Sequence, residues 1–266
     1  MNTVAAEAGK IDPMHQFLIE PIFGTGHWEL AGYNIAFTNS ALWMVITLLA
    51  FWAFMLGGMK GSLVPGRWQA AVEGFAGFIT NMVDANIGPK GRSFAPYVFS
   101  LFMFILIANL MGMMPVAIIP GMHAFTVTSH LTVTGILAIL SFSIVLIVGF
   151  AKHGLHFFSL FIPHGTPGYM VPLIFVIELF SFLIRPFSLG LRLFVAMTAG
   201  HILLKVLAGF VINGLNAGAG IAAIVSLPSF ILMLGITVLE LLVCAIQAYV
   251  FALLTSLYLN DAINLH

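Results

Sequence analysis

The chain has 266 residues, of which 61% are hydrophobic and only 7% carry a charge. Soluble domains carry about 25% charged residues, so this composition excludes an ordinary soluble protein and indicates one that crosses a membrane several times. Nine basic and nine acidic residues balance to zero and form no basic run, which argues against nucleic acid as a partner. The single cysteine, Cys244, excludes an intrachain disulfide.

The first segment, residues 1–38, is predicted to be an extramembrane tail that precedes a membrane domain over 39–266. Charged residues and turn formers are interspersed along this tail. It lacks the basic start and the apolar core of a signal peptide. We therefore expect it to lie outside the bilayer as part of the protein.

Five apolar runs follow, covering 39–57, 96–119, 132–150, 171–211 and 221–259. The first three have the length of about 20 residues that one transmembrane helix needs. At about 1.5 Å per residue, each of the last two would be roughly 60 Å long, twice the hydrocarbon thickness. Either they break at Arg185-Pro186 and at Pro228, which gives seven spans, or they cross the bilayer strongly tilted, which gives five.

The basic residues orient the five-span arrangement. They cluster between the first two runs and after the third, at Lys60, Arg67, Lys90, Arg92 and Lys152. Cytoplasmic loops of membrane proteins are enriched in lysine and arginine. We therefore expect 58–95 and 151–170 to lie in the cytoplasm, with the N-terminus outside and the C-terminus inside.

The segment 68–87 repeats apolar residues at helical spacing, with polar residues around the rest of the cylinder. This pattern predicts an interfacial amphipathic helix or a helix packed on a neighbour. The predicted fold class is thus an all-α polytopic membrane protein with about five transmembrane helices and one interfacial amphipathic helix. The last two helices are expected to be long, tilted and antiparallel, turning near 215–220 to form a hairpin over 171–262.

Arg192 lies deep inside the fourth run, far from either end. Arginine at a helix centre in a bilayer costs roughly 2.5–3.5 kcal/mol, and its guanidinium cannot escape by losing a proton. An anion must meet it, and a partner protein could supply one. Glu178, Arg185 and Ser188 share its helix face and form a polar stripe.

Two titratable residues lie apart from that stripe. His201 is on the opposite face of the same helix, and Glu240 shares a face of the last helix with Cys244 and Gln247. With Glu178 on the cytoplasmic side of Arg192 and His201 on the outer side, the polar groups form two half-pathways divided by a fixed positive charge. Because a guanidinium does not exchange protons at working pH, a proton would need a mobile carrier to pass it.

Structural explanations compete with this one. Glu240 could merely pair with His201, and Glu178 with Arg185, to hold the helices together. His153, His156 and His164 lie in one short segment and could bind a metal, but no cysteine or carboxylate joins them at ligand spacing. We therefore expect no metal, and we expect no cofactor because no phosphate loop or redox pair is found.

Three stretches resemble subunit a of the F-type ATP synthase, the stator part of the membrane proton turbine. They are Asn109-Leu-Met-Gly-Met-Met-Pro115, Leu191-Arg-Leu-Phe-Val-Ala-Met-Thr-Ala-Gly-His201 and Glu240-Leu-Leu-Val-Cys-Ala-Ile-Gln-Ala-Tyr-Val-Phe-Ala-Leu-Leu254. Asp12-Pro-Met-His-Gln-Phe17 is also similar to bacterial members. The resemblance extends from about residue 95 to the end of the chain.

The resemblance implies that the hairpin 171–262 faces a rotating ring of c subunits and that Arg192 is the family's essential arginine. It further implies that His201 and Glu240 line the outer half-channel and that Gln247 lies near the arginine. Asn109 would lie near the proton path and Glu178 at the cytoplasmic exit. The other implied partners are the peripheral-stalk b subunits and the rest of the complex, with no catalytic ATP site in this chain.

The residues at positions 201 and 240 depart from the pattern of many family members and indicate the kind of organism from which the chain comes. Many bacterial members carry a carboxylate at the position of His201 and a histidine at that of Glu240, whereas the exchange seen here is typical of mitochondrial members. The resemblance thus implies an alphaproteobacterial or mitochondrial type, in the bacterial inner membrane or, alternatively, the mitochondrial inner membrane. Two other functional classes remain open: a secondary transporter or antiporter with an intramembrane arginine, and a non-transporting scaffold. No internal repeat supports the transporter.

Overall fold

The computed structural model describes residues 18, 21, 29–30, 33–34, 37–59, 66–114, 126–162, 169–218, 220 and 222–264. Within these ranges the chain forms six α-helices: α1 (Asn39–Gly58), α2 (Arg67–Ile87), α3 (Ala95–Met113), α4 (Leu131–His153), α5 (Val171–Asn216) and α6 (Leu227–Ile263). Short 3-10 segments lie at Pro89–Phe94, Val127–Ser129 and Gly154–Phe161, and a π-helical turn at Ala222–Ser226. Two-residue strands β1 (Glu29–Leu30) and β2 (Tyr33–Asn34) pair in antiparallel fashion before α1. The predicted tail motif 12–17 lies outside the described residues.

In the described part of the chain, five helical segments are long and apolar enough to cross a membrane: Asn39–Gly58, Pro89–Met113, Leu131–His153, Val171–Asn216 and Ile224–Ile263. Their outer surfaces expose many large aliphatic and aromatic side chains, as expected where lipid rather than water is the solvent. The predicted all-α, five-span class is thereby confirmed. The division into tail and membrane domain, and the orientation in the bilayer, stay predictions.

The helix α2 is too polar to be one of these spans, as its amphipathic sequence indicates. Val72, Ile79 and Val83 are buried on one side, while Trp68 and Phe78 are exposed. Its last turn is fastened by Arg92, whose guanidinium donates to both oxygens of Asp84 at 3.0 to 3.1 Å. The helix packs against α1 and α6, and its location at the membrane interface stays a prediction.

The two long runs are not broken, so the seven-span alternative is wrong. The helix α5 continues for 46 residues through Pro186. Pro228 occupies one of the first two positions of α6, where proline is tolerated because those backbone N–H groups have no partner within the helix. At 46 and 37 residues, α5 and α6 are about 69 and 55 Å long. Neither fits upright in one bilayer about 30 Å thick.

A close contact at the hairpin turn fixes how α5 and α6 meet. Ser226 donates its hydroxyl to the carbonyl of Val211 at 2.9 Å. A Cβ on Gly214 would overlap that hydroxyl, so only glycine allows the contact. Gly218 completes the turn with a φ of 109°, a backbone conformation that favours glycine. The turn thus lies at the predicted position and determines which residues of the two helices face each other.

Candidate functional site

His201 and Glu240 meet at the interface between α5 and α6. Nδ1 of His201 lies 2.6 Å from Oε1 of Glu240, an ion pair whenever the imidazole is protonated. The side chains are 11% and 2% exposed, so water reaches neither freely. A buried carboxylate requires such a partner, because an unpaired charge is strongly unfavourable away from water.

Oxygen atoms surround both ring nitrogens of His201. The carbonyl of Met197 lies 3.0 Å from Nδ1, on the side of Glu240. On the other side, Nε2 lies 2.6 Å from the hydroxyl of Thr126 and 3.2 Å from the carbonyl of Gly112. A proton on either nitrogen therefore has an acceptor. The ring is suited to take a proton at one nitrogen and release one from the other.

A buried segment of hydroxyl-bearing residues lies beside this pair, and the sequence did not predict it. Thr126, Thr128 and Ser129 lie in and just before the short 3-10 turn that leads into α4, and all three are buried. The Ser129 carbonyl accepts from Thr198 at 3.3 Å, which ties the segment to α5. The signal in the sequence was three hydroxyl residues within four positions just before an apolar run. Burial also lowers the pKa of the adjacent His130, which favours the neutral form of its ring.

Asn109 joins the same network and is fully buried in α3. Its Oδ1 accepts from the Thr128 hydroxyl at 2.7 Å. Its amide donates to the carbonyl of Cys244 at 3.3 Å, one turn beyond Glu240 on α6. The structure thus brings three of the predicted site residues, His201, Glu240 and Asn109, into one polar cluster linking α3, α5 and α6.

Arg192 lies outside this cluster, on the opposite, exposed face of α5. It makes no hydrogen bond or ion pair with any residue that the structure describes. Two contacts between α5 and α6 bracket it along the hairpin, His201 with Glu240 and Arg185 with Asp261. Arg192 is therefore level with about Phe251 on α6, roughly one turn beyond the predicted stretch from Glu240 to Gln247.

The remaining predicted site residues are spread along the hairpin. Glu178 and Gln247 are half-buried, on α5 and α6 respectively. Ser188 donates to the carbonyl of Arg185 at 3.0 Å, so its hydroxyl is satisfied within its own helix. None of these three is bonded to the cluster around His201 in the described part of the chain.

Arg185 pairs with Asp261, so the pairing of Arg185 with Glu178 that the sequence left open is wrong. Nη1 of Arg185 lies 2.7 Å from Oδ2 of Asp261 near the end of α6. The guanidinium also lies over the rings of Phe182 and Tyr258, at 5.5 and 5.2 Å from their centroids. The hairpin therefore brings together charges that are 76 positions apart in the sequence.

The described histidines of the segment considered for a metal do not form a metal site. In the described part of the chain, no three His, Cys, Asp or Glu side chains lie close enough together to hold a metal ion. Nε2 of His153 instead lies 3.2 Å from the carbonyl of Ile263, at the end of α6. His164 lies outside the described residues.

Gly200 is expected to be essential for the geometry of the pair. A Cβ there would lie 2.7 Å from Oε1 and 2.9 Å from Cδ of Glu240, a side chain with no room to move. We expect Gly200→Ala to displace Glu240 and to destabilise the hairpin by about 1–3 kcal/mol. Thermal unfolding of the purified protein in detergent or lipid measures this.

Gly235→Ala is the matched control for that substitution, because nothing lies within 4 Å of a Cβ at this position in the interior of α6. It should be neutral, or stabilising by roughly 0.5–1 kcal/mol. Equal stability of the two variants would contradict the tight packing of Gly200 on Glu240.

Known proteins resemble this chain over nearly its whole length. A family model described as ATP synthase A chain matches residues 40–260. The chain is 79% identical to ATP synthase subunit a of Rhizorhabdus wittichii, over 99% of this chain and 100% of that protein. It is 67% identical to the subunit of the same name in Novosphingobium aromaticivorans, over 97% and 99%. The corresponding protein of Zymomonas mobilis subsp. mobilis is 58% identical, over 98% and 100%.

Proposed function

Because this chain belongs to the ATP synthase A chain family and is a membrane component of the proton-transporting ATP synthase, we propose that it provides two offset proton half-channels divided by Arg192. The catalytic ATP site belongs to another subunit of that complex. The chain's own contribution is to move protons and to couple their flow to rotation of a ring of c subunits.

The observation that carries the proposal is the position of Arg192. Its side chain is exposed, and it has no counter-charge in the described part of the chain, whereas Arg185 on the same helix face is paired with Asp261. A permanent cation in a bilayer needs an anion, and a ring carboxylate that reaches this face would supply it. Ala199 is also exposed on this face, two turns further along, and its small side chain allows close approach of a partner helix.

The outer half-channel in this proposal leads to the His201–Glu240 pair. Thr126 and Asn109 line it, since they bond to His201 and to the backbone next to Glu240. The pair lies about 14 Å from Arg192 along α5, and on the opposite face. A proton held there cannot pass the guanidinium directly and must be transferred to a carboxylate of the ring.

The second half-channel leads away from the other side of Arg192, past Glu178 toward the cytoplasm. A ring carboxylate arriving beside Arg192 would form an ion pair and release its proton toward Glu178. Ser188 and Gln247 provide polar groups near this stretch, and they would keep the ion pair from becoming too strong to break. The next proton would come from the outer side as the ring turns.

This function requires further partners and a location. We expect the c-subunit ring on the Arg192 face, the peripheral-stalk b subunits elsewhere on the chain, and the rest of the ATP synthase complex. The bacterial relatives support the bacterial inner membrane over the mitochondrial one. The distribution of basic residues supports a multi-pass arrangement with the N-terminus outside and the C-terminus in the cytoplasm. No observation favours a secondary transporter.

Cross-linking from the Arg192 face tests the proposal. The chain's single cysteine is buried, so Ala199→Cys would add one accessible thiol on this face. A photoreactive reagent attached there should cross-link to a c subunit in the purified complex. Ile139→Cys is the matched control, because Ile139 is 62% exposed on α4 and should react only with lipid or other neighbours. Cross-linking to c from Ile139 but not from Ala199 would refute the assigned face.

A further inference from the structure

The ion pair between Arg185 and Asp261 is not accounted for by the two half-channels. It joins the first third of α5 to the last turn of α6 at 2.7 Å. Phe182 and Tyr258 lie against the same guanidinium. The side chains of Arg185 and Asp261 are 28% and 38% exposed, so this ion pair is at the surface of the hairpin and not in its core. A contact needed only for packing could be formed by apolar side chains, as elsewhere between these helices.

The second relevant feature is the distance between the two arginines of α5. Arg185 and Arg192 are seven residues apart, so they lie on one helix face about 10 Å from each other. Arg185 also pairs with Asp261 and lies over the ring of Tyr258, so these charged groups occupy one region of the hairpin, two turns from Arg192. Two free guanidinium groups on this face would both attract an approaching carboxylate.

We propose that Asp261 is a positioning residue that neutralises Arg185 and holds it against Phe182 and Tyr258, so that Arg192 alone meets the carboxylate of the ring. This inference rests on the proposed function. With Asp261 in place, a ring carboxylate moving along the hairpin encounters a compensated charge at Arg185 and an uncompensated one at Arg192. The site of proton release is thereby confined to Arg192.

The two partners of this pair are not equivalent when left alone. A carboxyl group that loses its partner can take up a proton and become neutral, whereas a guanidinium stays charged at any working pH. Removing Arg185 therefore leaves Asp261, whose carboxyl group can become neutral by taking up a proton. Removing Asp261 leaves a second permanent cation two turns from Arg192, which would hold the ring carboxylate at the wrong position.

A mutant cycle in the whole ATP synthase tests this asymmetry, with ATP-driven proton pumping into membrane vesicles as the readout. We expect Asp261→Asn to lower pumping by roughly fivefold or more, and Arg185→Gln to retain most of it. The double variant Arg185→Gln/Asp261→Asn should recover to the level of Arg185→Gln. Asp261→Glu, which keeps the charge, should also retain most of the pumping.

Two results would overturn the proposal. Pumping at the wild-type rate by Asp261→Asn would show that Arg185 needs no neutralisation. A double variant as impaired as Asp261→Asn, or one that does not assemble, would show that the pair acts only as a structural contact. If Asp261→Asn alone failed to assemble while the double variant assembled and pumped, the uncompensated charge would again be the cause, as proposed.

Arg192→Gln, measured in the same vesicles, separates this inference from the proposed function. If Arg192→Gln pumps normally, the proposed function itself is wrong. If Arg192→Gln does not pump and Asp261→Asn pumps like the wild type, only the role of Asp261 is wrong.

Discussion

Replacing Arg192 with glutamine is expected to abolish ATP-driven proton pumping while the complex still assembles. Glutamine keeps polarity but removes the permanent charge that would attract the ring carboxylate and expel its proton. Loss of one preorganised electrostatic group typically slows a reaction by about 10²–10³-fold, and we expect a loss of this size or larger. Acidification of inverted membrane vesicles on addition of ATP measures it.

Assembly should be unaffected because Arg192 is exposed and bonds to no residue in the described part of the chain. Arg185→Gln is the matched control: it removes a guanidinium from the same helix face, yet one that is already neutralised by Asp261. We expect this control to pump. Equal effects of the two substitutions would mean that any charge on this face matters and that Arg192 has no special role.

Disrupting the His201–Glu240 pair is expected to have the next largest effect. Glu240→Gln and His201→Gln each remove one group that can carry a proton, and the second leaves a carboxyl that is only 2% exposed without its partner. Breaking a buried pair from one side typically costs about 3–5 kcal/mol of stability. Because each variant also loses a group that would carry protons, we expect about a tenfold or greater loss of ATP-driven pumping. Both single variants should be measured in the same vesicles as Arg192→Gln.

The exchanged double variant, His201→Glu with Glu240→His, is the decisive companion to those substitutions. It keeps one carboxylate and one imidazole at the interface of α5 and α6 but reverses the helix that carries each. We expect it to recover most of the pumping that either single substitution loses. If it pumps no better than the single variants, the pair depends on its detailed contacts with Thr126 and Gly112 and not on its proton-carrying groups.

Much of the fold could be predicted from the sequence because apolar runs of sufficient length have few alternatives in a membrane. The sequence could not decide whether α5 breaks at Pro186. In water a proline inside a helix often ends it, since the freed carbonyl can bond to solvent. Lipid offers no such partner, so continuing the helix leaves only the one carbonyl that would have paired with the missing proline N–H.

The candidate site could be predicted only where a residue was unusual by itself. Arg192, His201 and Glu240 stand out as charged or titratable groups within apolar runs. Thr126 and Thr128 did not, because hydroxyl residues are common in loops and only the packing of α3, α4 and α5 buries them beside His201 and Asn109.

The partner of Arg185 could not be predicted for a different reason. Helical periodicity offered Glu178, seven residues away on the same face. The actual partner, Asp261, is brought near by the register of the hairpin, which depends on the contact of Gly214 with Ser226 at the turn. The same register shifts Arg192 by about one turn relative to the predicted stretch of α6.

The most direct test of the central claim is proton flux into vesicles that carry the whole purified complex, with wild type and Arg192→Gln side by side. Flux should be driven first by ATP and then, without ATP, by an imposed membrane potential. If Arg192 divides two half-channels, the variant loses ATP-driven pumping and still conducts or leaks protons under the imposed potential. Normal ATP-driven pumping by Arg192→Gln would contradict the account.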